Sequence, residues 1–173
     1  MTNHEFCLTY NFKIKKMKNL TQSYKDKLNQ LLSSYQIHYQ NLRLLHWNIK
    51  GEKFFELHAK YEELYNRSQV IIDDIGERLL ALGETPLSRF SEYLQHSVIA
   101  ESQIISEGNR GIEYVLNAQN NLLIVEREIL KLSESHEDEG TNALISSLIQ
   151  EKEKSNWMFN ASLHKLSVEE TLF

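Results

Sequence analysis

Residues 45–83 read LHWNIKGEKFFELHAKYEELYNRSQVIIDDIGERLLALG, and the periodicity of their middle part decides the fold. From about Phe55 to Leu82, the residues Leu57, Tyr61, Leu64, Ser68, Ile71, Ile72, Ile75, Leu79 and Leu82 recur every three or four positions, as a helix with one buried stripe demands. Four side chains able to bind a metal share this helix: His58, Glu62, Asp73 and Glu77. With His58 as origin on the helical wheel, they fall at about 0°, 40°, 60° and 100°, and the apolar stripe centres at about 270°. The four candidates therefore face away from the chain's own core. His58 and Asp73 are separated by about 22 Å along the axis, so no single ion can collect both ends of one helix. If the same helix of a second copy packs antiparallel across a twofold axis, His58 and Glu62 of one chain meet Asp73 and Glu77 of the other. Symmetry then makes two such sites per pair. Gly76, at about 0° on the same wheel, permits close backbone approach there.

Upstream, a first long helix is expected from Thr21 to Ile49, with Leu28, Leu31, Leu32, Tyr35, Tyr39, Leu42 and Leu45 on its buried side and Thr21 as N-cap. Gly51 ends it. Downstream, Gly83 and Pro86 stop the central helix. Residues 87–105 are expected to hold a short helix with Phe90, Tyr93, Leu94 and Val98 on one side, inside a connection long enough to cross the length of a bundle. A third long helix is read from Glu107 to Ser133, with Ile112, Val115, Leu116, Leu122, Leu123, Ile129 and Leu130. The acidic stretch 134–139 follows, broken by Gly140. A fourth helix runs from Thr141 to about Lys165, with Leu144, Ile145, Leu148, Trp157, Phe159 and Leu163 as its apolar positions, Trp157 assigned to packing. Four long amphipathic helices make an all-α four-helix bundle with a short extra helix in the crossover between helices two and three. Residues 1–18 read as a tail and residues 19–173 as the bundle.

The bulk properties agree. With 173 residues the chain is one domain by length, and its six glycines and one proline suit helices. The single cysteine, Cys7, gives no disulfide framework and suits a reducing compartment. No apolar run reaches a membrane span, and the first residues show neither the basic region nor the apolar region of a secretory signal. The expected location is the cytoplasm. A net charge of −5 argues against a body that coats itself with nucleic acid.

The pattern H-W-x-x-x-G-x-x-F-x-x-x-H-x-x-x-E from His46 to Glu62, followed by D-x-x-x-E-R-L-L-A-x-G from Asp73 to Gly83, resembles the Dps family of miniferritins. The likeness extends from about Leu28 to Lys165 and includes the W-M-F at 157–159. It implies a ferroxidase centre between twofold-related subunits, with His46, His58 and Glu62 from one chain and Asp73 and Glu77 from its mate. Many members carry Asp where this chain has Glu62, so the metal position is open to a shift. Imidazole with carboxylates suits Fe(II), and anionic oxygens favour Fe(III). In the expected arrangement Glu77 bridges, His46 and Asp73 hold one metal position, and His58 and Glu62 complete a weaker second position or act through water. An interior di-iron site of the Glu-x-x-His type is not expected, because the sequence contains no Glu-x-x-His.

Three weaker features complete the expectations. Trp47, beside His46, is read as packing that also shields the site from stray radicals. In the family, acidic residues near 134–139 line iron-entry pores at threefold axes; Glu134 and Glu139 match best, and Ala143 stands where relatives can carry another acid. Lys13, Lys15, Lys16 and Lys18 end the tail, and family tails of this kind can bind DNA, against which the acidic body stands. The resemblance thus implies a dodecameric shell that oxidises Fe(II) with hydrogen peroxide or oxygen, mineralises Fe(III) inside and protects against oxidative stress. The alternative is a DNA-binding, nucleoid-associated cage in which iron oxidation is secondary. A third reading is a cage with degenerate metal sites acting as a surface antigen or adhesin.

Overall fold

The computed structural model describes residues 21–163. Five helices follow one another: α1 (Gln22–Asn48), α2 (Phe54–Ala81), α3 (Phe90–His96), α4 (Gly108–Ser135) and α5 (Glu139–Leu163). The 1–18 tail with its lysines and Cys7 lies outside the described residues. α1 packs along α2, α4 along α5, and α1 also touches α4 and α3. This is the expected four-helix bundle, with the short helix in the long connection.

Each boundary has a local cause. The Thr21 hydroxyl accepts the Tyr24 N–H at 3.3 Å and starts α1. Gly51 at φ +96° turns the chain into α2, and Gly83 at φ +80° takes it out; both values lie in the region that favours glycine. The Glu107 carboxylate accepts the N–H groups of Asn109 and Arg110, each at 2.8 Å, and caps α4. The three amide contacts satisfy groups that every helix end leaves open.

The connection from α2 to α4 runs beside α1 and is laced to it by polar side chains. Asn29 Oδ1 accepts the Leu87 N–H at 2.9 Å, and Ser34 Oγ accepts that of Val98 at 3.1 Å. Asn41 receives the Ser102 N–H at 3.0 Å and donates to the Ala100 carbonyl at 2.9 Å and to the Tyr114 hydroxyl. The Lys50 N–H finally bonds the Ser106 carbonyl at 3.0 Å, which starts α4 beside the junction of α1 and α2. Of the apolar residues expected on α3, only Tyr93 is buried; Phe90 is 79% exposed. A one-faced pattern on so short a helix does not say which chain covers it.

The apolar core is divided. One cluster joins Tyr24, Leu28, Leu31, Ile71, Ile75, Leu79, Leu122, Ile129, Ile145 and Leu148. The other joins Leu42, Leu45, Leu57, Tyr61, Ile112, Val115, Leu116 and Phe159. A polar layer separates them, containing His38 on α1, Ser68 on α2, Gln119 on α4 and Lys152 on α5, all buried.

The corner between α4 and α5 departs from the expected loop. α5 starts at Glu139, so Gly140 lies within its first turn and does not break the acidic stretch. A Cβ on Gly140 would come within 2.8 Å of Arg78 Nη1, so a side chain there would make the guanidinium shift. Arg78 pairs with Asp138 and donates from Nε to the Thr141 hydroxyl at 2.8 Å. Asp138 Oδ2 also accepts the Tyr24 hydroxyl at 2.8 Å and that of Thr141 at 2.6 Å. Burial alone would raise the Asp138 pKa, but the Thr141 hydroxyl and N–H, Tyr24 and Arg78 together hold it below the ordinary value.

Candidate metal centre

His46 and His58 come together where α1 ends and α2 begins. Each Nδ1 lies 2.8 Å from the other residue's backbone carbonyl. A carbonyl cannot donate, so each Nδ1 carries the proton and each Nε2 keeps its lone pair, the tautomer a metal requires. The rings stack at 3.7 Å between centroids with 21° between planes. Phe54 stacks on the outer face of His58 at 5.0 Å, and Tyr65 meets His46 edge-on at 5.4 Å. Two flanking rings and two carbonyls thus fix the two imidazoles.

Tyr65 extends the set to the first carboxylate. Its hydroxyl donates to Glu62 Oε1 at 3.2 Å. Partial desolvation, with the bond to Glu62 and its charge, raises the Tyr65 pKa and keeps that hydroxyl a donor. His46, His58 and Glu62 therefore form a connected group, His46 8% exposed and Glu62 open to solvent.

Asp73 and Glu77 stay apart from it. Both are exposed on α2 several turns further along, and neither engages a hydrogen bond or ion pair with another described residue. Arg78, which follows Glu77, is turned toward Asp138 and leaves the carboxylate unpaired. Among the described residues, no three His, Cys, Asp or Glu side chains of one chain converge as a metal site would need. One chain thus presents two separated half-sets, with oxygen and nitrogen donors of the kind iron takes. Nothing in the same chain comes within 4 Å of a Cβ placed on Gly76, so no contact inside the subunit requires glycine there.

The remaining sequence candidates are exposed. Trp47 is 58% exposed, its ring 4.6 Å from the Arg43 guanidinium, and so lies on the subunit surface beside His46. Trp157 is 67% exposed, so it is not part of the subunit's own core. Glu134 and Glu139 are both solvent-facing at the α4–α5 corner, with the structurally engaged Asp138 between them. Sequence reading gave no role at the histidines to Tyr65, or to Phe54, which stands in the quoted pattern. Tyr65 stands three residues after Glu62, a spacing that places two helical side chains side by side, and that was the available signal.

No helix among the described residues is long and apolar enough to cross a membrane. Comparison with known proteins gives a consistent result. A family model described as "Ferritin-like domain" matches residues 25–168. The chain is 33% identical over 138 residues to the DNA protection during starvation protein 2 of Bacillus anthracis, covering 80% of this chain and 94% of that protein. The crystal structure of a DPS protein from Vibrio cholerae O1, described as a member of the ferritin-like diiron-carboxylate superfamily, superposes with a TM-score of 0.82 at 42% identity, covering 85% of this chain and 92% of that one. Dps from Staphylococcus aureus superposes with a TM-score of 0.81 at 28% identity, over 84% and 97% of the two chains.

Proposed function

The chain belongs to the ferritin-like family as a Dps miniferritin, and from that premise we propose that it oxidises Fe(II) at sites shared by two subunits and stores the Fe(III) product in a hollow cage. The observation that carries this reading is the reciprocal histidine pair, whose Nδ1 atoms are engaged by carbonyls so that both Nε2 lone pairs stay free, with Tyr65 linking His46 to Glu62. His46, His58 and Glu62 of one subunit and Asp73 and Glu77 of its mate hold the iron substrate. Two adjacent Fe(II) ions give two electrons to one hydrogen peroxide, which takes up two protons and leaves as two waters, so no hydroxyl radical is released. Oxygen is the other oxidant this chemistry admits. Trp47, exposed next to His46, is placed to intercept an oxidising equivalent that escapes. Glu134 and Glu139, free of the Asp138 network, focus Fe(II) where copies of the α4–α5 corner meet in a dodecamer. The cytoplasm is the compartment that suits this work.

A second reading is favoured by the relatives' name for DNA protection. The lysines at 13, 15, 16 and 18, repeated over many subunits, would bind DNA multivalently. Salt-dependent gel shifts of the full chain and of a chain lacking residues 1–18 decide it; equal retardation by both rejects the tail as the DNA-binding element.

The shared site is tested by complementation. Asp73→Ala/Glu77→Ala and His46→Ala/His58→Ala should each fold, by circular dichroism, yet lose rapid Fe(II) oxidation in stopped flow. In a mixed pair, one site receives both defective halves and the other both intact halves. Cages co-assembled from the two variants, verified by mass, should regain part of the rate. Verified mixed cages as inactive as their parents reject the twofold site.

A further inference from the structure

The layer between the two apolar clusters contains a charge pair that iron chemistry at the subunit faces does not use. Glu126 on α4 is fully buried, and its Oε1 lies 2.8 Å from Nζ of Lys152 on α5, itself buried. The Tyr35 hydroxyl, from α1, donates to the same carboxylate oxygen at 2.9 Å and accepts from the Lys152 ammonium. Four polar atoms in this region have no protein partner: Glu126 Oε2, His38 Nδ1, Gln119 Oε1 and Ser155 Oγ. His38, Gln119, Lys152 and Ser155 line a cavity of about 40 Å³ whose rim carries the Arg67–Glu151 ion pair.

Ferritin-like bundles that hold di-iron build the site in this interior, from carboxylates and histidines on facing helices. The present residues do not fit such a centre. The one fully buried carboxylate here is already neutralised by an ammonium at hydrogen-bond distance. A divalent ion would have to enter beside that fixed positive charge. Burial and the Lys152 charge push the His38 pKa down to about 3, so the imidazole adds no charge of its own.

We propose that Lys152 is a tethered cation standing in the interior metal position, so that iron is denied the bundle centre and bound only at the subunit faces. A carboxylate with no access to water needs a positive partner, and a side-chain ammonium supplies one that cannot dissociate. The unpartnered oxygens of Glu126 and Gln119 and the His38 nitrogen are the further donors that a free ion would use if the ammonium were removed. That iron is the excluded ion rests on the function proposed above; the exchange of ammonium for a free cation does not.

Lys152→Ala is made in the natural chain and in the Asp73→Ala/Glu77→Ala chain, and the metal-free proteins are titrated with Co(II). Visible absorption reports bound ion, and thermal unfolding reports its effect on the fold. In both backgrounds the Lys152→Ala substitution should add about one Co(II) per chain and raise the unfolding temperature when Co(II) is present. Glu126→Gln/Lys152→Met, which removes both charges, should add none. A Lys152→Ala chain that gains no Co(II), or that stays unfolded with Co(II) present, overturns the proposal. So does interior Co(II) in the Asp73→Ala/Glu77→Ala chain with Lys152 intact. Failure of the interfacial reading shows separately, as Co(II) binding by the natural chain that Asp73→Ala/Glu77→Ala leaves unchanged.

Discussion

His38 shows how one residue sets a condition on the whole fold. Its imidazole is buried and, by desolvation first and the Lys152 charge second, its pKa falls to about 3. An unfolded chain binds a proton on that ring near pH 6.5, whereas the folded chain does not until far lower pH. The stabilisation from keeping His38 neutral is therefore complete above pH 6.5 and is lost as pH falls toward 3. The slope from this single group is about 1.4 kcal/mol per pH unit. His38→Gln should flatten the stability profile between pH 6.5 and 4, with the two proteins compared by urea unfolding at equal concentration. A profile as steep as that of the natural chain would show that His38 is already charged in the fold. At the candidate half-site, by contrast, the same residue type is held by two carbonyls and two flanking aromatic rings. One histidine works by refusing a proton, and the other pair by holding its proton on Nδ1 and keeping Nε2 free.

At the scale of elements, the crossover depends on Asn41. Its amide bonds two backbone groups of the 97–107 segment and the Tyr114 hydroxyl of α4, so Asn41→Ala leaves several polar groups without partners. Such a loss costs about 2–3 kcal/mol. The substitution should lower thermal stability by that order and speed hydrogen exchange at the Ser102 amide; unchanged exchange there would mean that the crossover is held by other contacts. The long helices were legible because apolar residues recur every three or four positions over many turns, and the ends that lie within the described residues differ from the sequence reading by one or two residues, as fraying boundaries do. The α4–α5 corner was not legible, because Asp138 and Gly140 are fixed by Arg78, a residue remote in sequence. The interior pair left a visible signal that was passed over. Glu126 falls on the stripe of Leu122 and Ile129, and Lys152 on that of Ile145, Leu148 and Phe159, so a charge stands on each buried face. Charge at such a position is read as solvated until the facing helix supplies its partner.

At the scale of the whole molecule, the candidate centre was readable only in halves. His58 and Asp73 sit too far apart on α2 for one site, and that distance itself pointed to a second copy. Gly76 carries the corresponding test. No contact within the subunit needs it, and glycine inside a helix destabilises by roughly 0.5–1 kcal/mol relative to alanine. A bulky Gly76→Leu should leave circular dichroism unchanged, disrupt the twofold pair by mass measurement and lower Fe(II) oxidation with it. Intact pairs with full activity would move the contact away from this part of α2. The divided core has a different consequence, for how the helices find their alignment. Leucine and isoleucine recur each turn, so apolar stripes alone would tolerate α5 slipping along α4 by one turn. Glu126 and Lys152 do not tolerate it, because a slip strands two opposite charges against hydrocarbon. The polar waist thus works as a vernier mark at mid-length, and it sets the heights at which the histidine pair at one end and the acidic corner at the other present themselves to neighbouring subunits.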